Sequence, residues 1–573
     1  MMNINKKDII RLLEKIATYL EIKGENPFRI SAYRKAAQAL ERDVRSVQEI
    51  EDFTSVAGIG KGTNELIREY METGESTVLK SLQSEVPVGL IPLLKLPGLG
   101  GKRIATLYQK LNIIDAESLK EACVNGNIQQ VKGFGKKTVE NILLGLEQIG
   151  TRPERIAIND MLHVARKIEH FLAKIPQIQR FDVAGSVRRL EETVKDIDFI
   201  ISTNSPDEVK TELLKMDGIK EVIASGDTKV SFVIEARYEV QVDFRLVNEE
   251  QYATTLHHFT GSKEHNVLMR QIAKQRDEKI NEYGVENLTT NETTQFQTEE
   301  QFFHHFDLNF IPPELRQGKY ETEKFLRNVD LLTTESIKGD LHMHTTWSDG
   351  AQSVEEMVQK AREIGYEYIA ITDHSKFLRV ANGLNEKRLR EQREEIQRLN
   401  EKYDDIHIFA GVEMDILPNG KLDFSTEFLK EMDIVIAAIH SSFSQTEDEI
   451  MKRLFHALEN PYVDIIAHPT GRIIGRRDGY AVNVEKLIEK AKETETALEL
   501  NSNPQRFDLA PKSLEMAKES GVKIAINTDA HDIRMFDHMK YGVKVARRAW
   551  LEDEHVINTW DVQKMKSFLQ RNK

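Results

Sequence analysis

From Ile9 to Leu20, apolar side chains recur every three or four positions: Ile9, Leu12, Leu13, Ile16 and Leu20. That period predicts an amphipathic helix. The helical pattern continues to about residue 150, broken by three short glycine turns. These are Gly58-Ile59-Gly60, Gly98-Leu99-Gly100 and Gly133-Phe134-Gly135, spaced 40 and 35 residues apart, each ahead of a helix-like segment. An internal repeat of helix–hairpin–helix type is expected. Residues 151–310 mix helical stretches with strictly alternating strands. Residues 311–334, with Pro312-Pro313 and a charged stretch, predict a linker. From 335 onward, short apolar runs alternate with longer amphipathic helices, the βαβ pattern of a parallel sheet or barrel. Seven such runs are expected, at 339–344, 368–373, 407–413, 434–440, 463–468, 497–501 and 523–529.

Composition narrows this picture in a few places. A chain of 573 residues is too long for one domain, and three to five are expected. The longest strongly apolar run, about 434–439, falls far short of the ~20 residues of a membrane helix. Residues 1–19 lack a signal-peptide core. One cysteine, Cys123, excludes a disulfide framework and a thiolate zinc finger, so a reducing cytoplasmic setting is expected. The net charge of −14 is unevenly spread. Residues 1–150 carry 21 Lys and Arg against 19 Asp and Glu, whereas 151–334 and 335–573 are each acidic by eight. The acidic excess falls where carboxylates gather as candidate metal ligands, so it does not exclude a polyanionic partner.

Two glycines around one apolar residue permit a tight turn that points amides outward at the start of the next helix. Such a site binds a phosphate. Lys61, Lys102 with Arg103, and Lys136 with Lys137 stand beside the turns. A lone Gly-x-Gly is more often a plain helix corner; three copies beside basic residues favour contact with a nucleic-acid backbone.

In Asp196-Ile197-Asp198-Phe199-Ile200-Ile201, alternation places Asp196 and Asp198 on one strand face and Ile197, Phe199 and Ile201 on the other. Val240, Val242, Phe244 and Leu246 alternate with Gln241, Asp243 and Arg245, so Asp243 also lies on a polar face. Three carboxylates on neighbouring strands repel one another without cations and suit Mg²⁺. For a lone Asp-x-Asp, a solvated sheet face is the commoner explanation. Upstream, Gly185-Ser186-Val187-Arg188-Arg189 adds a hydroxyl and two guanidinium groups for phosphates. Together these make a nucleotidyl-transfer arrangement.

Six of the seven C-terminal runs end in, or lead straight into, His, Asp or Glu side chains: His342, His344, Asp349, His374, Glu413, His440, His468, Asp529 and His531. In a parallel barrel all strand ends open on one face. One such histidine alone is more often structural, but the repeated placement points to a pocket for up to three Zn²⁺, Mn²⁺ or Fe ions. His304 and His305 lie outside the pattern and read as linker or surface residues.

Residues 1–315 resemble family X DNA polymerases. The matching stretches are NPFRISAYRKAAQAL (26–40), VAGIGKGTNELIREYMETGE (56–75), GSVRR (185–189), DIDF (196–199), VDFRL (242–246) and HHFTGSKEHNVLMR (257–270). The resemblance implies that Asp196, Asp198 and Asp243 hold Mg²⁺ or Mn²⁺ and that Ser186 and Arg189 contact the triphosphate. It implies that Phe259, Thr260 and Gly261 line the sugar pocket, with Asn266 and Arg270 on the minor-groove side. It matches Tyr33, Arg34 and Lys35 to the basic motif for a 5′-phosphate. DNA contacts are expected at Lys35, Gly58, Gly60, Gly98, Gly100, Lys102, Gly133 and Gly135. Two departures matter. Leu66 stands where the lyase-active members carry a Schiff-base lysine, and an aliphatic side chain forms no imine. His258 stands where a tyrosine is frequent, so ribonucleotide discrimination is expected to differ.

Residues 335–573 resemble the PHP (polymerase and histidinol phosphatase) family through DLHMHTTWSDG (340–350), ITDHS (371–375), GVEMD (411–415), IHSS (439–442), IAHPTG (466–471), LELNSNP (498–504) and NTDAH (527–531). This implies a distorted (β/α)7 barrel, a trinuclear metal site built from the nine residues above, and phosphoester hydrolysis. Arg472 is a candidate phosphate contact, against the commoner reading of a surface arginine.

The expected molecule is multidomain, α+β and α/β. A helical 5′-phosphate- and DNA-binding domain occupies 1–87, and a second helix–hairpin–helix subdomain 88–150. A nucleotidyltransferase palm follows at 151–250 and a nascent-base-pair subdomain (fingers) at 251–315. A linker at 316–334 leads to the PHP domain at 335–573. The expected function is gap-filling DNA synthesis in base excision repair by a monomer acting on gapped or primer-template DNA and dNTPs, without membrane contact, near the nucleoid. The barrel is expected to be a 3′-5′ exonuclease, with 3′-phosphatase and abasic-endonuclease activity as outlets of the same chemistry. The alternatives are an inert scaffold or a small-ester phosphatase; a non-enzymatic DNA clamp would leave both carboxylate sites unexplained.

Overall fold

The computed structural model describes residues 6–43, 45, 47, 50–96, 99–131, 133–135, 138, 139, 142, 143, 146 and 154–572. It divides into two compact units, Met1–Pro153 and Glu154–Lys573.

The first unit is helical. Ile9, Leu12, Leu13, Ile16 and Leu20 of the helix Lys6–Lys23 are buried, as their spacing predicts. The next helix, Pro27–Arg42, starts with Pro at its first position and Asn26 as cap, the Asn26 side chain accepting from the Phe28 amide. The described parts of the three glycine turns share one hydrogen-bond pattern. Ile59 N donates to Val56 O, Leu99 N to Leu96 O and Phe134 N to Val131 O, and all three central apolar residues are buried. Gly60, Gly100 and Gly135 each then accept the first helical hydrogen bonds, as from Thr63 and Asn64, Arg103 and Ile104, and Thr138 and Val139. One apolar core runs from Ile9 to Leu146, so 1–87 and 88–150 pack as one body.

In the second unit, five strands lie in the order Arg180–Val183, Asp196–Ser202, Glu239–Val247, Lys229–Glu235, Ile219–Ser225. Asp196–Ser202 and Glu239–Val247 are parallel and the other pairs antiparallel. Their apolar face carries Ile197, Phe199, Val242 and Phe244, all fully buried, and packs on Met161, Val164, Ala165 and Ile168 of the helix Ile158–Leu172.

The segment 316–334 is not the loose linker its composition suggested. Arg316, Glu321, Phe325 and Leu332 are buried. Arg316 pairs with Glu299 and lies over the Phe303 and Phe310 rings, and the chain is held by these contacts. His305, expected at the surface, is half-buried with its Nε2 2.9 Å from Glu278 Oε1.

Seven parallel strands follow in chain order: Gly339–Asp340, Tyr368–Ile371, His407–Asp415, Ile434–Ala438, Ile465–Ile466, Ala497–Asn501 and Ile524–Asn527. A bridge between Met343 and Ala530 joins last to first, with His344 N donating to Ala530 O at 2.8 Å. Five of the seven are shorter than expected, Ala497–Asn501 matches, and His407–Asp415 runs two residues further. Beyond their ends the backbone leaves the ladder, and His468 and Asp529 take positive φ of 29° and 53°. Alternation explains the interior. Phe409, Ile434, Ile436, Ala438, Ala497 and Ala525 form an apolar floor with Met565 and Leu569 of the C-terminal helix. The next inward positions of the same strands are Glu413, His440, Glu499, Asn501, Asn527 and Asp529. The barrel exterior and the five-stranded sheet belong to one continuous apolar cluster.

Candidate active sites

Parallel pairing sets the first site. Asp198 and Asp243 are direct partners across the two parallel strands, and Asp196 is two residues before Asp198 on the same face. Asp243 is held by Ser231 Oγ at 2.7 Å, Gln241 Nε2 at 3.1 Å and Lys229 Nζ at 2.7 Å. Burial, then the charges of Asp196 and Asp243, push the Asp198 carboxyl up to about 7, while Lys229 and Arg245 pull the other way. A carboxylate this crowded by its own kind calls for cations. Among the described residues, groups of three or more His, Asp or Glu with ligand atoms within 4.8 Å of one another occur in the barrel, and the palm trio is not one of them. Lys229 occupies Asp243 Oδ2.

Gly185 (φ 63°) opens the short helix Gly185–Arg188, and a Cβ there would lie 2.5 Å from Asp198 Oδ2. Glycine lets the turn close over the carboxylate. Ser186 is half-buried beside it. Arg189 turns onto its own chain, Nη1 donating to Thr260 O at 2.8 Å. Arg188 is buried against Glu299 and donates to Thr260 Oγ1 at 2.8 Å. Thr260 is thus a buried acceptor for both arginines rather than an open wall. Phe259 lies 4.8 Å from the Arg245 guanidinium, and Asn266 Nδ2 donates to His258 O at 2.8 Å. A Cβ on Gly261 would lie 2.7 Å from Asn266 Oδ1, and Arg270 is exposed.

The barrel gathers the nine ligand candidates around Glu413. Its Oε2 lies 2.8 Å from His374 Nδ1 and 3.5 Å from both His342 Nε2 and His344 Nε2. Its Oε1 lies 2.9 Å from His468 Nε2 and 3.1 Å from His440 Nε2. Asp529 Oδ1 stands 3.2 Å from His344 Nε2, and Asp349 Oδ1 3.5 Å from His531 Nε2. Three groups have ligand atoms close enough for one ion each: His344, Asp349, His374 and His531; His342, His344 and Asp529; and His374, Glu413 and His440. His342 Nε2, both ring nitrogens of His344, His374 Nδ1, His468 Nδ1 and Glu413 Oε2 are buried without a hydrogen-bond partner. Orphaned buried acceptors are costly, and this many in one pocket fit bound cations. Burial, then the nearby His531 and His374, hold His344 well below its usual value.

Four residues outside the nine candidates orient them. Glu499 Oε1 pairs with His342 Nδ1 at 2.7 Å and Glu499 Oε2 accepts the His468 amide at 2.7 Å. Asn527 Nδ2 donates to Glu499 at 3.0 Å, and Asn501 Nδ2 donates to Asp529 at 3.0 Å. Asp415 Oδ1 faces His440 Nδ1 at 3.1 Å. The sixth strand carries none of the nine, yet its inward parity singles out Glu499 and Asn501. Arg472 is partly buried rather than a free surface arginine. It pairs with both oxygens of Glu192, at 2.7 and 3.2 Å.

In the first unit, Gly60 and Gly100 cap their helices with φ near −90°, and a Cβ on Gly60, Gly100, Gly133 or Gly135 would meet nothing within 4 Å. No packing demands glycine there, which leaves room for a ligand's close approach. Arg34, Lys35 and Lys102 line a cavity of about 700 Å³ with Glu21, which binds Arg34 at 2.7 Å. Gly58 (φ 108°) lies against the helix that carries Lys35. Gly98, Lys136 and Lys137 lie outside the described residues. Leu66 is buried in the helix Lys61–Thr73.

Family profiles match in the same order: a helix-hairpin-helix domain over 4–76, a SAM-like helix-hairpin-helix tandem over 90–148, the DNA polymerase beta thumb over 255–317 and the PHP domain over 340–503. Over the barrel, a probable phosphatase of Thermoanaerobacter sp. is 34% identical across 41% of this chain and 95% of its own. One from Acetivibrio thermocellus is 30% identical across 41% and 95%. The DNA polymerase/3′-5′ exonuclease PolX of Bacillus subtilis is 56% identical over 569 residues, 99% of this chain and all of that one. With helix–hairpin–helix units, a polymerase beta thumb and a PHP barrel joined in one chain, the protein belongs to the PolX family, the family X DNA polymerases with a C-terminal PHP domain.

Proposed function

We propose that the chain fills short gaps in DNA, with a polymerase centre at Asp196, Asp198 and Asp243 and a 3′-5′ exonuclease in the barrel. The observation that carries this is the pairing of Asp198 with Asp243 in a unit that also gathers eight of the nine candidate metal ligands into three groups with close ligand atoms. The name of the Bacillus relative, which joins both activities, supports it along the whole chain. Mg²⁺ or Mn²⁺ at the palm and up to three Zn²⁺, Mn²⁺ or Fe ions in the barrel would supply the Lewis acidity that phosphoryl transfer needs. The protein's own part in the palm is to offer three carboxylates on one face, with Asp243 oriented by Ser231 and Gln241. In the barrel, Glu499 and Asp415 orient His342 and His440. Residues 1–150 would hold the DNA by its phosphates through the glycine-capped helices. The buried Leu66 argues against an imine-forming lyase.

A 5′-labelled primer on a one-nucleotide-gapped duplex tests each centre. With dNTPs, the Asp196→Ala/Asp198→Ala variant should lose extension by at least about 1000-fold while still shortening the primer with Mn²⁺. His342→Ala/His344→Ala should lose shortening and keep extension. Extension by the first variant would refute the palm assignment. The phosphatase relatives favour one second reading, a barrel that removes 3′-phosphates or hydrolyses small esters. Release of phosphate from a 3′-phosphorylated primer or a small ester, without laddering of a 3′-hydroxyl primer, would establish it.

A further inference from the structure

The backbone just after the Gly185–Arg188 turn is gripped by the barrel. Arg548 ends the barrel helix Met539–Arg548. Its Nη1 donates to Leu190 O at 2.9 Å and its Nη2 pairs with Glu191 Oε2 at 3.1 Å. Glu191 Oε1 accepts from Gln317 Nε2 at 2.9 Å and lies 3.5 Å from Arg189 Nε. Arg189 in turn reaches Thr260 O. One residue on, Glu192 takes the fork of Arg472, which lies four residues after His468. Leu190 has φ +56°, a conformation that leucine adopts only when its surroundings impose it. Its carbonyl is the group that Arg548 holds. The side chains of Arg189, Arg548 and Glu191 are 13, 15 and 22% exposed, so these charge-assisted bonds are shielded from water. A surface salt bridge would not hold a backbone in place; this one has a carbonyl, a carboxylate and a strained turn to act on.

We propose that Arg548 is a positioning residue of the polymerase centre. Through Leu190 O and Glu191 it holds the 186–189 loop in the shape that receives the nucleotide's phosphates. The barrel thereby contributes to synthesis without touching the substrate. The proposal rests on the palm being a nucleotidyl-transfer site.

Steady-state single-nucleotide gap filling separates positioning from mere adhesion. Arg548→Ala should raise the KM for dNTP about 10-fold and lower kcat less than about 3-fold, since it removes both shielded charge-assisted contacts, to Leu190 O and to Glu191. Arg548→Lys should recover part of the loss, because a single ammonium replaces a two-pronged donor. Glu191→Gln should raise KM as well, and adding it to Arg548→Ala should cost no more than Arg548→Ala alone. Arg166→Ala is the control. Its guanidinium bonds Tyr541 Oη at 2.6 Å and bridges the same two parts of the molecule away from the loop. It should lower the melting temperature yet leave KM unchanged. An unchanged KM in Arg548→Ala, or an equal rise in Arg166→Ala, would overturn the proposal. If Arg548→Ala does not fold, Arg548→Lys and Glu191→Gln carry the same comparison. No synthesis by the wild type would instead overturn the polymerase reading itself.

Discussion

Glu499 shows how much one side chain can govern. It carries no place in the ligand motif, yet it bonds His342, the His468 amide and Asn527. A carboxylate behind a metal-ligating histidine fixes the tautomer and raises ligand basicity. Glu499→Gln keeps the shape and removes the charge. It should raise the Mn²⁺ concentration for half-maximal exonuclease activity about 10- to 100-fold. Extension by the palm should be unaffected, and both can be read from one primer assay across a metal titration. His538 makes a second case. Burial, then Arg166, pushes its imidazole down to about 4. The folded state holds it neutral, and the unfolded chain takes up a proton near 6.5. The stability it allows is therefore complete above pH 6.5 and is lost as pH falls toward 4, by an amount on the order of 1–3 kcal/mol. His538→Gln should flatten the denaturant midpoint between pH 6.5 and 4.5 relative to wild type.

The hairpins act as elements rather than as residues. Gly60 and Gly100 sit in ordinary extended backbone at helix N-caps, without a side-chain cap. No side chain therefore competes with a phosphate oxygen for the amides of the first two helical positions. Gly100→Asn would supply the missing cap and raise stability by a few tenths of a kcal/mol. It should weaken DNA binding several-fold, because the same amides are then occupied. It should also make the slope of log affinity against log salt shallower by one phosphate contact or less. A melting curve and a fluorescence titration at several salt concentrations would check the two opposite signs together.

For the molecule as a whole, the buried interior joins the sheet that carries the aspartates to the barrel that carries the histidines. The two chemistries share one folded body, Glu154–Lys573. Metal bound to the barrel stabilises that body by mass action. Chelation should therefore lower the melting temperature of the whole 154–573 unit, not of the barrel alone. In His342→Ala/His344→Ala most of that chelator-sensitive shift should vanish. Calorimetry with and without chelator gives both values.

Much of this was written in local periodicity. The helix Lys6–Lys23, the three glycine turns and the alternation around Asp196 and Asp243 follow from side-chain spacing. So do the seven parallel strands, six of them with candidate ligands at their ends. Periods of 3.6 and 2 are set by backbone geometry and need no distant partner. The tertiary structure alone decided which neighbours meet. It paired Asp198 with Asp243 across 45 residues of chain and placed Glu499 and Asp415 behind the histidines. It turned the supposed linker into a buried strap around Arg316, and it closed Arg548 and Arg472 onto Glu191 and Glu192. The reason is physical. Alternation tells which face a residue occupies, but a salt bridge or a strand register depends on two segments whose separation along the chain carries no signal of their meeting.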